Sequence, residues 1–289
     1  MAITAASGSA IPSAGNRPRR RHRIWLIPLF AALLVWFSGY IQLPTGPASG
    51  EGCAGTVPPT PADKKIFRVA TFNMHSGVGG DDVFNLARTI DTVRDPDFCA
   101  LQEVRGFLYG PAANQAQQLG ESTNHAWLFA PTERRYWHEE FGNGVLTRLP
   151  IENWVRIPLP IEPAHSGRRN AVVFRVDFGG RTVPILMTHI DREKDQTNQL
   201  QMVIRLFESL QSPSLLLADL NAEAKNPQVK TLLALPGVHD CITESSPASE
   251  SHGRIDWIVS RGFKTVGGGH IQNEASDHPL YWADLEFNP

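Results

Sequence analysis

The chain has 289 residues, 42% hydrophobic and 19% charged, an ordinary globular composition with length enough for one large domain or two small ones. Its 27 basic and 29 acidic side chains nearly balance, but Arg17, Arg19, Arg20, Arg21 and Arg23 are the only basic residues before Lys64, and Glu51 and Asp63 the only acidic ones. Setting these aside leaves 22 basic and 27 acidic side chains, a net of −5, which weighs against a domain that grips long nucleic acid by phosphate neutralisation alone. The three cysteines, Cys53, Cys99 and Cys241, form no CxxC pair and no cluster with histidine, so zinc is not expected. Cys99 lies in an apolar run and reads as a small core residue.

A basic head, residues 1–23, precedes an uncharged, strongly apolar run at 24–43. At about 1.5 Å per residue that run just crosses a bilayer core of roughly 30 Å as a helix. Trp25, Trp36 and Tyr40 suit an interface belt, and the arginines would stay cytoplasmic. We expect a signal anchor with the remaining chain extracytoplasmic. A buried core helix competes poorly, given the arginine flank and the Pro/Gly/Ser-rich stretch that follows. A cleaved signal peptide is the nearer rival, but its apolar region is normally about 7–15 residues, and no clean A-x-A site is present. Residues 44–63, rich in Pro, Gly, Ala, Ser and Thr, are expected to be a flexible linker, with the folded domain at 64–289.

From Lys64 onward strands and helices alternate. "IFRVATFN" (66–73) reads as a strand, and Asp81 or Asp82 can cap a helix carrying Val83, Leu86, Ile90 and Val93 at helical spacing. "DFCALQE" (97–103) is the next strand. "AVVFRVDF" (171–178) and "TVPILMTHI" (182–190) flank Gly179 and Gly180 as a hairpin would. A helix with Leu200, Val203, Ile204, Phe207 and Leu210 on one face leads to the buried run "PSLLLADLN" (213–221). "RIDWIVS" (254–260) and "LYWADLEF" (280–287) close a mixed α/β domain.

Polar side chains recur at the ends of these apolar strands. Asn73 and His75 end the first, Glu103 the second, His189 and Asp191 the hairpin, and Asp219 and Asn221 the LLLADLN run. Asp256 lies early in RIDWIVS, and Asp277 and His278 precede the last strand. A carboxylate at the tip of a hydrophobic strand is costly unless it is paired or binds a cation. One such residue is ordinarily a hydrogen-bonded structural group. Repetition of the same chemistry at six sequence-distant strand ends points to one converged site.

These residues also carry a family resemblance. "TFNMH", "ALQEV", "GNGVLTRLPI", "THID", "LLADLNA", "GRIDWIV" and "SDHPL" resemble, in order, the successive motifs of the endonuclease/exonuclease/phosphatase superfamily with its DNase I-like fold. Each motif alone is weak, and the ordered set spans about residues 67–287. The resemblance implies a four-layer α/β sandwich of two packed mixed β-sheets flanked by helices, and Mg2+-dependent cleavage of phosphodiester or phosphomonoester bonds, with Mn2+ as the alternative ion. It implies Glu103 as principal metal ligand, with Asn73 and Asp277 completing an oxygen-rich shell suited to a hard cation. Asp219 and Asn221 would orient and deprotonate the attacking water. His278, held by Asp256, would donate to the phosphoryl oxygens or act as acid, and His189 would be a second phosphate-contacting histidine. Asn143 and Arg168 or Arg169 are further substrate-binding candidates.

The chain departs from the pattern at His75, where many nucleases of the family carry an acid, and at Ala218, where glycine is commonest. No long basic or aromatic insertion of the kind that grips duplex DNA is present. The substrate, whether nucleic acid, phospholipid or small phosphate, is chosen by loops such as 106–124 and 136–143 that no motif decodes. A non-catalytic binding module on the same fold is the alternative, although such relatives usually lose a water-activating or metal-binding residue and none is missing here.

Overall fold

The computed structural model describes residues 26–38, 43, 46–61, 63–107, 113–135, 138–162, 167–245 and 253–289. The chain divides into two units, residues 1–40 and 41–289. The first holds helix α1 (Leu26–Ser38), 13 residues without a charge, whose large apolar side chains from Leu26 to Trp36 are exposed. No helix among the described residues is long and apolar enough to cross a membrane. The basic head and residues 24, 25 and 39–42 of the expected span lie outside the described residues.

The second unit opens with β1 (Ser49–Glu51) and β2 (Ile66–Asn73), followed by α2 (Leu86–Thr92), β3 (Phe98–Arg105) and α3 (Gln115–Thr123). Then come β4 (Ala126–Arg135), β5 (His138–Thr147), β6 (Ile151–Pro158), β7 (Asn170–Asp177), β8 (Thr182–His189), α4 (Gln196–Ser209) and β9 (Ser214–Asp219). The chain closes with α5 (Pro227–Leu233), β10 (Val238–Asp240), α6 (Cys241–Ser245), β11 (Asp256–Arg261), β12 (Phe263–Ile271) and β13 (Leu280–Phe287).

The strands form a seven-stranded sheet, β1-β6-β7-β8-β9-β11-β10, and a six-stranded sheet, β12-β13-β2-β3-β5-β4. Both are mixed, because β8 runs parallel to β9 and β2 parallel to β3, while the other pairs are antiparallel. Parallel neighbours need a crossover. α4 supplies one and α2 the other, and each helix lies on the outer face of its sheet. Leu200, Val203, Ile204 and Phe207 of α4 are buried with Leu216, Trp257 and Val259, and Leu119 of α3 with Phe72, Cys99 and Leu146. Between the sheets Val69, Phe98 and Val145 meet Phe174, Ile185, Met187 and Leu217 in the central core. The result is the expected four-layer sandwich.

Two local expectations are corrected. Helix α2 is capped by Asn85, whose extended backbone lets its side chain accept from Ala87 N, and not by Asp81 or Asp82. Asp81 is already engaged, accepting from Val83 N at 3.1 Å and from Arg88 Nη1 at 2.9 Å, and Val83 is left exposed before the helix. The segment expected to be a flexible linker is partly built into the sandwich. β1 pairs with β6, Gly50 opposite Trp154, where a Cβ would lie 2.9 Å from the indole ring. Ala54 then exchanges backbone hydrogen bonds of 2.9 and 2.8 Å with Trp127 of β4. Residues 49–54 thus strap an open side of the sandwich from one sheet to the other. The cysteines are free, Cys99 and Cys241 buried and Cys53 partly so.

Candidate active site

The two parallel pairs end on the same side of the sandwich, which brings Asn73, Glu103, His189 and Asp219 together. β11 runs antiparallel to β9, so its first residue, Asp256, lies directly opposite Asp219. β13 runs antiparallel to β2, and the turn entering it carries Asp277 and His278. The amide of Asn73 is the hub. Its Nδ2 donates to Glu103 Oε1 at 3.3 Å and to Asp219 Oδ2 at 3.0 Å, and its Oδ1 accepts from His75 N at 3.1 Å.

Glu103 reaches this position through a bulge. β3 pairs Leu101 with Gly144 and next Val104 with Gly142, so Gln102 and Glu103 oppose Asn143 alone and Glu103 adopts φ 59°. A left-handed backbone costs a non-glycine residue about 1 kcal/mol and re-aims its side chain. Strain of this kind collects at functional sites. On the other edge of β5, Gly142 permits the close approach of β4, since a Cβ there would sit 2.5 Å from Ala130 O. The turn after β2 is also left-handed at His75 and Ser76. It is pinned by Ser76 Oγ donating to Glu103 O at 3.1 Å and Ser276 Oγ donating to Asn73 O at 2.7 Å.

Asp219, 1% exposed, accepts from Asn221 N at 2.8 Å. Asn221, itself left-handed, donates from Nδ2 to Ile190 O at 3.0 Å. His189 Nε2 lies 3.1 Å from Asn221 Nδ2 and 3.4 Å from Asp219 Oδ2, while Arg169 Nη1 stands 3.1 Å from Nδ1. A neutral imidazole accepts at one nitrogen only. With the always-charged Arg169 as the stronger donor, the ring's own proton belongs on Nε2, facing Asp219. His278 Nδ1 is 2.8 Å from Asp256 Oδ2.

Electrostatics separate the two histidines. Burial would lower the His278 pKa, but the hydrogen bond to Asp256 and the charges of Asp256, Asp219 and Asp277 lift it to about 9. Burial, Arg169 and His278 together hold His189 well below its ordinary value. His278 is therefore an imidazolium at neutral pH and His189 a neutral ring. Burial, and then the facing charge of Asp256, push the Asp219 carboxyl up to about 7. Burial likewise raises Asp256 against the pull of His278.

The donor set fits a hard divalent cation. Asp219 and Asp256 lie side by side, Glu103 joins Asp219 through the Asn73 amide, Asp277 adjoins His278, and Asp256 Oδ1 is buried with no hydrogen-bond partner among the described residues. Asp219, Asp256 and His278 each bring one donor atom to within 4.8 Å of the others, but His278 Nδ1 is already engaged with Asp256. The Glu103 carboxylate accepts one hydrogen bond from the described residues, that of Asn73. The Asp277 side chain is 54% exposed, 3.6 Å from His75 Nδ1.

Three expected residues stand apart from this network or at its margin. Asn143 is buried and donates to Asn170 Oδ1 at 2.9 Å, tying β5 to β7. Arg168 meets Glu133 Oε2 through its backbone N–H at 3.4 Å, and Arg169 joins the site through His189. Sequence reasoning missed Asn170, Ser276 and Arg254 as supports. Arg254 Nη1 donates to Asp256 O at 2.9 Å, and its guanidinium stacks on Trp257 at 3.8 Å. Asn170 had a usable signal, a polar residue opening an apolar strand.

The sequence profile of the Endonuclease/Exonuclease/phosphatase family matches residues 70–278. Among solved structures the chain is similar to an endonuclease/exonuclease/phosphatase from Beutenbergia cavernae, with 25% identity and a TM-score of 0.66 over 78% of this chain and 72% of that one. It is also similar to the human Nocturnin catalytic domain with bound sulfate, with 16% identity and a TM-score of 0.59 over 78% and 94%. D. rerio TDP2 complexed with single strand DNA product aligns with 19% identity and a TM-score of 0.55 over 77% and 100%. No curated protein matches the chain. A profile spanning most of the sequence, on a sandwich whose strand ends converge in this way, places the chain in the endonuclease/exonuclease/phosphatase family, whose members are usually phosphoester hydrolases.

Proposed function

We propose that this protein is a divalent-metal-dependent phosphoesterase that hydrolyses a phosphodiester or phosphomonoester by attack of an activated water. The observation that carries the reading is the Asn73 hub, which joins Glu103 to Asp219 beside the Asp256–His278 pair. Glu103, with Asn73 and Asp277, would hold the cation, Mg2+ by its preference for oxygen ligands, with Mn2+ as the alternative. When bound, the cation supplies positive charge against the phosphoryl oxygens.

Asp219, with its carboxyl pushed up to about 7, is matched to take a proton from water near neutral pH. Asn221 orients that water. As the water oxygen bonds to phosphorus and the ester bond breaks, His278 gives its proton to the leaving oxygen, and Asp256 steadies the imidazolium. His189 and Arg169 donate to the phosphoryl group, where preorganised donors stabilise developing charge.

The test is hydrolysis by the purified protein with Mg2+ of a panel holding oligonucleotides, phospholipids, sugar phosphates and bis(p-nitrophenyl) phosphate, with EDTA as control. Turnover of at least one, abolished by EDTA, is expected; no turnover of any member sinks the enzyme reading. Undiminished binding of a partner by a Glu103→Ala, Asp219→Ala double variant would point instead to a binding module.

The N-terminal run at 24–43 serves, in the same reading, as a membrane anchor with the catalytic domain outside the cytoplasm. The uncharged helix α1 and its uncovered apolar side chains support this. Retention in the membrane fraction after an alkaline carbonate wash is expected, and release into the supernatant would refute it.

A further inference from the structure

Beside the site, between β4 and the start of β7, lies a pocket of about 40 Å3 walled by Pro131, Pro158 and Ile161. Its described lining contains three arginines, Arg156, Arg168 and Arg169, and no carboxylate. Among the described residues no carboxylate accepts from any of the three guanidinium groups, although Glu133 Oε2 meets the Arg168 backbone N–H and the Glu140 charge reaches Arg156. Among the described residues the Arg156 guanidinium donates to two carbonyls, from Nη1 to Pro131 O at 2.9 Å and from Nη2 to Gly46 O at 3.4 Å, and burial pushes its pKa down despite the charge of Glu140 nearby. The Arg168 guanidinium has no hydrogen-bond or ion-pair partner among the described residues. Arg169 spends Nη1 on His189 and leaves Nε buried without an acceptor.

A partly desolvated guanidinium without an anion is unfavourable. Three of them around one small apolar-walled space, in a stretch of chain (residues 64–289) whose net charge is −5 overall, form a receptor for a compact anion. Arg169 connects that receptor to His189, so an anion held there would lie beside the candidate site.

We propose that the pocket receives a second phosphate of the substrate. The enzyme would then prefer esters bearing another phosphate beside the one it cleaves over diesters whose remaining substituents are neutral or cationic. The inference rests on the phosphoesterase reading above. The second phosphate comes either from the neighbouring linkage of a nucleic acid or from a phosphomonoester on a sugar or polyol, and the receptor chemistry is the same for both.

The experiment uses the full-length chain and matched substrates that differ by one phosphate. The p-nitrophenyl ester of thymidine 5′-phosphate, with and without a 3′-phosphate, forms the nucleotide arm. The p-nitrophenyl phosphodiester of inositol, with and without a ring phosphomonoester, forms the polyol arm. In at least one arm the second phosphate should raise kcat/KM by about tenfold or more, the scale of one charge-assisted hydrogen bond. Arg156→Met and Arg168→Met should each bring that ratio towards one, and Arg156→Lys should retain part of it. Arg168→Met covers the case in which Arg156→Met does not fold, since Arg156 also holds the strap through Gly46. A ratio near one in both arms, or a ratio that neither variant lowers, overturns the proposal. If nothing is hydrolysed, the phosphoesterase reading fails separately, and binding still decides the pocket. Stabilisation by inorganic pyrophosphate beyond that by phosphate, lost in Arg168→Met, supports it; equal stabilisation overturns it.

Discussion

The half of the site on the seven-stranded sheet and the half on the six-stranded sheet are held by different means. Asp219, Asp256 and His189 occupy ladder positions, and their side chains are at most 5% exposed. Register alone sets them opposite one another. Glu103, His75 and Asp277 hang from a bulge and two turns, and the last two have side chains 40% and 54% exposed. The first arrangement places like charges close together away from water, which shifts their proton affinities. The second keeps carboxylates open and adjustable, as a cation that carries its own water requires. In the proposed mechanism the water-activating carboxylate belongs to the first half and the cation ligands to the second, and the two halves are joined by Asn73 and by the Asp256–His278 hydrogen bond.

The strongest way to break this division is Asp219→Asn. It should lower kcat by roughly a thousandfold, the scale of a general base, while removing a buried like-charge conflict. A carboxyl raised to about 7 in the folded state contributes stability below its unfolded pKa and loses it as pH rises towards 7. In EDTA, the melting temperature of Asp219→Asn should therefore gain on the native chain between pH 4 and pH 7. A variant that melts lower across that window would refute the electrostatic account.

Glu103→Gly probes the open half. It should raise the Mg2+ concentration for half-maximal rate by more than about tenfold and relieve about 1 kcal/mol of left-handed strain, read by denaturant unfolding without metal. A thirdway between the halves is Asp256→Asn. His278 must be protonated to act as acid, so activity should persist below about pH 9 and fall above it. Without the Asp256 carboxylate that alkaline limb should move to lower pH in the kcat profile, and an unmoved limb would remove His278 from the acid role. The smallest effect belongs to Ser276→Ala, which deletes the 2.7 Å bond to Asn73 O and should cost about 1 kcal/mol in chemical denaturation.

The buried half was the more legible in the sequence. LLLADLN and RIDWIVS announce strands buried on both faces, and an aspartate inside such a run demands an explanation. Asn73, Glu103 and His278 were legible for the same reason. The cap of α2 was not, because Asp81, Asp82 and Asn85 compete within five positions and the backbone angles, which composition does not encode, choose among them. Asn170 acts across two sheets, so its role follows from packing and not from its neighbours in sequence. The strap was hidden because Pro, Gly and Ser mark flexible chain and edge-pairing chain alike.

That strap carries a practical consequence. A truncation beginning at Lys64, where the recognisable strands start, would strip β1 from β6 and the Ala54 bridge from β4. Two rows of backbone donors and acceptors would then lie bare, ready to template the same row on another molecule. The shortened chain should keep its chemistry and lose its solubility, so residues 49–54 guard against self-association rather than merely spanning a distance.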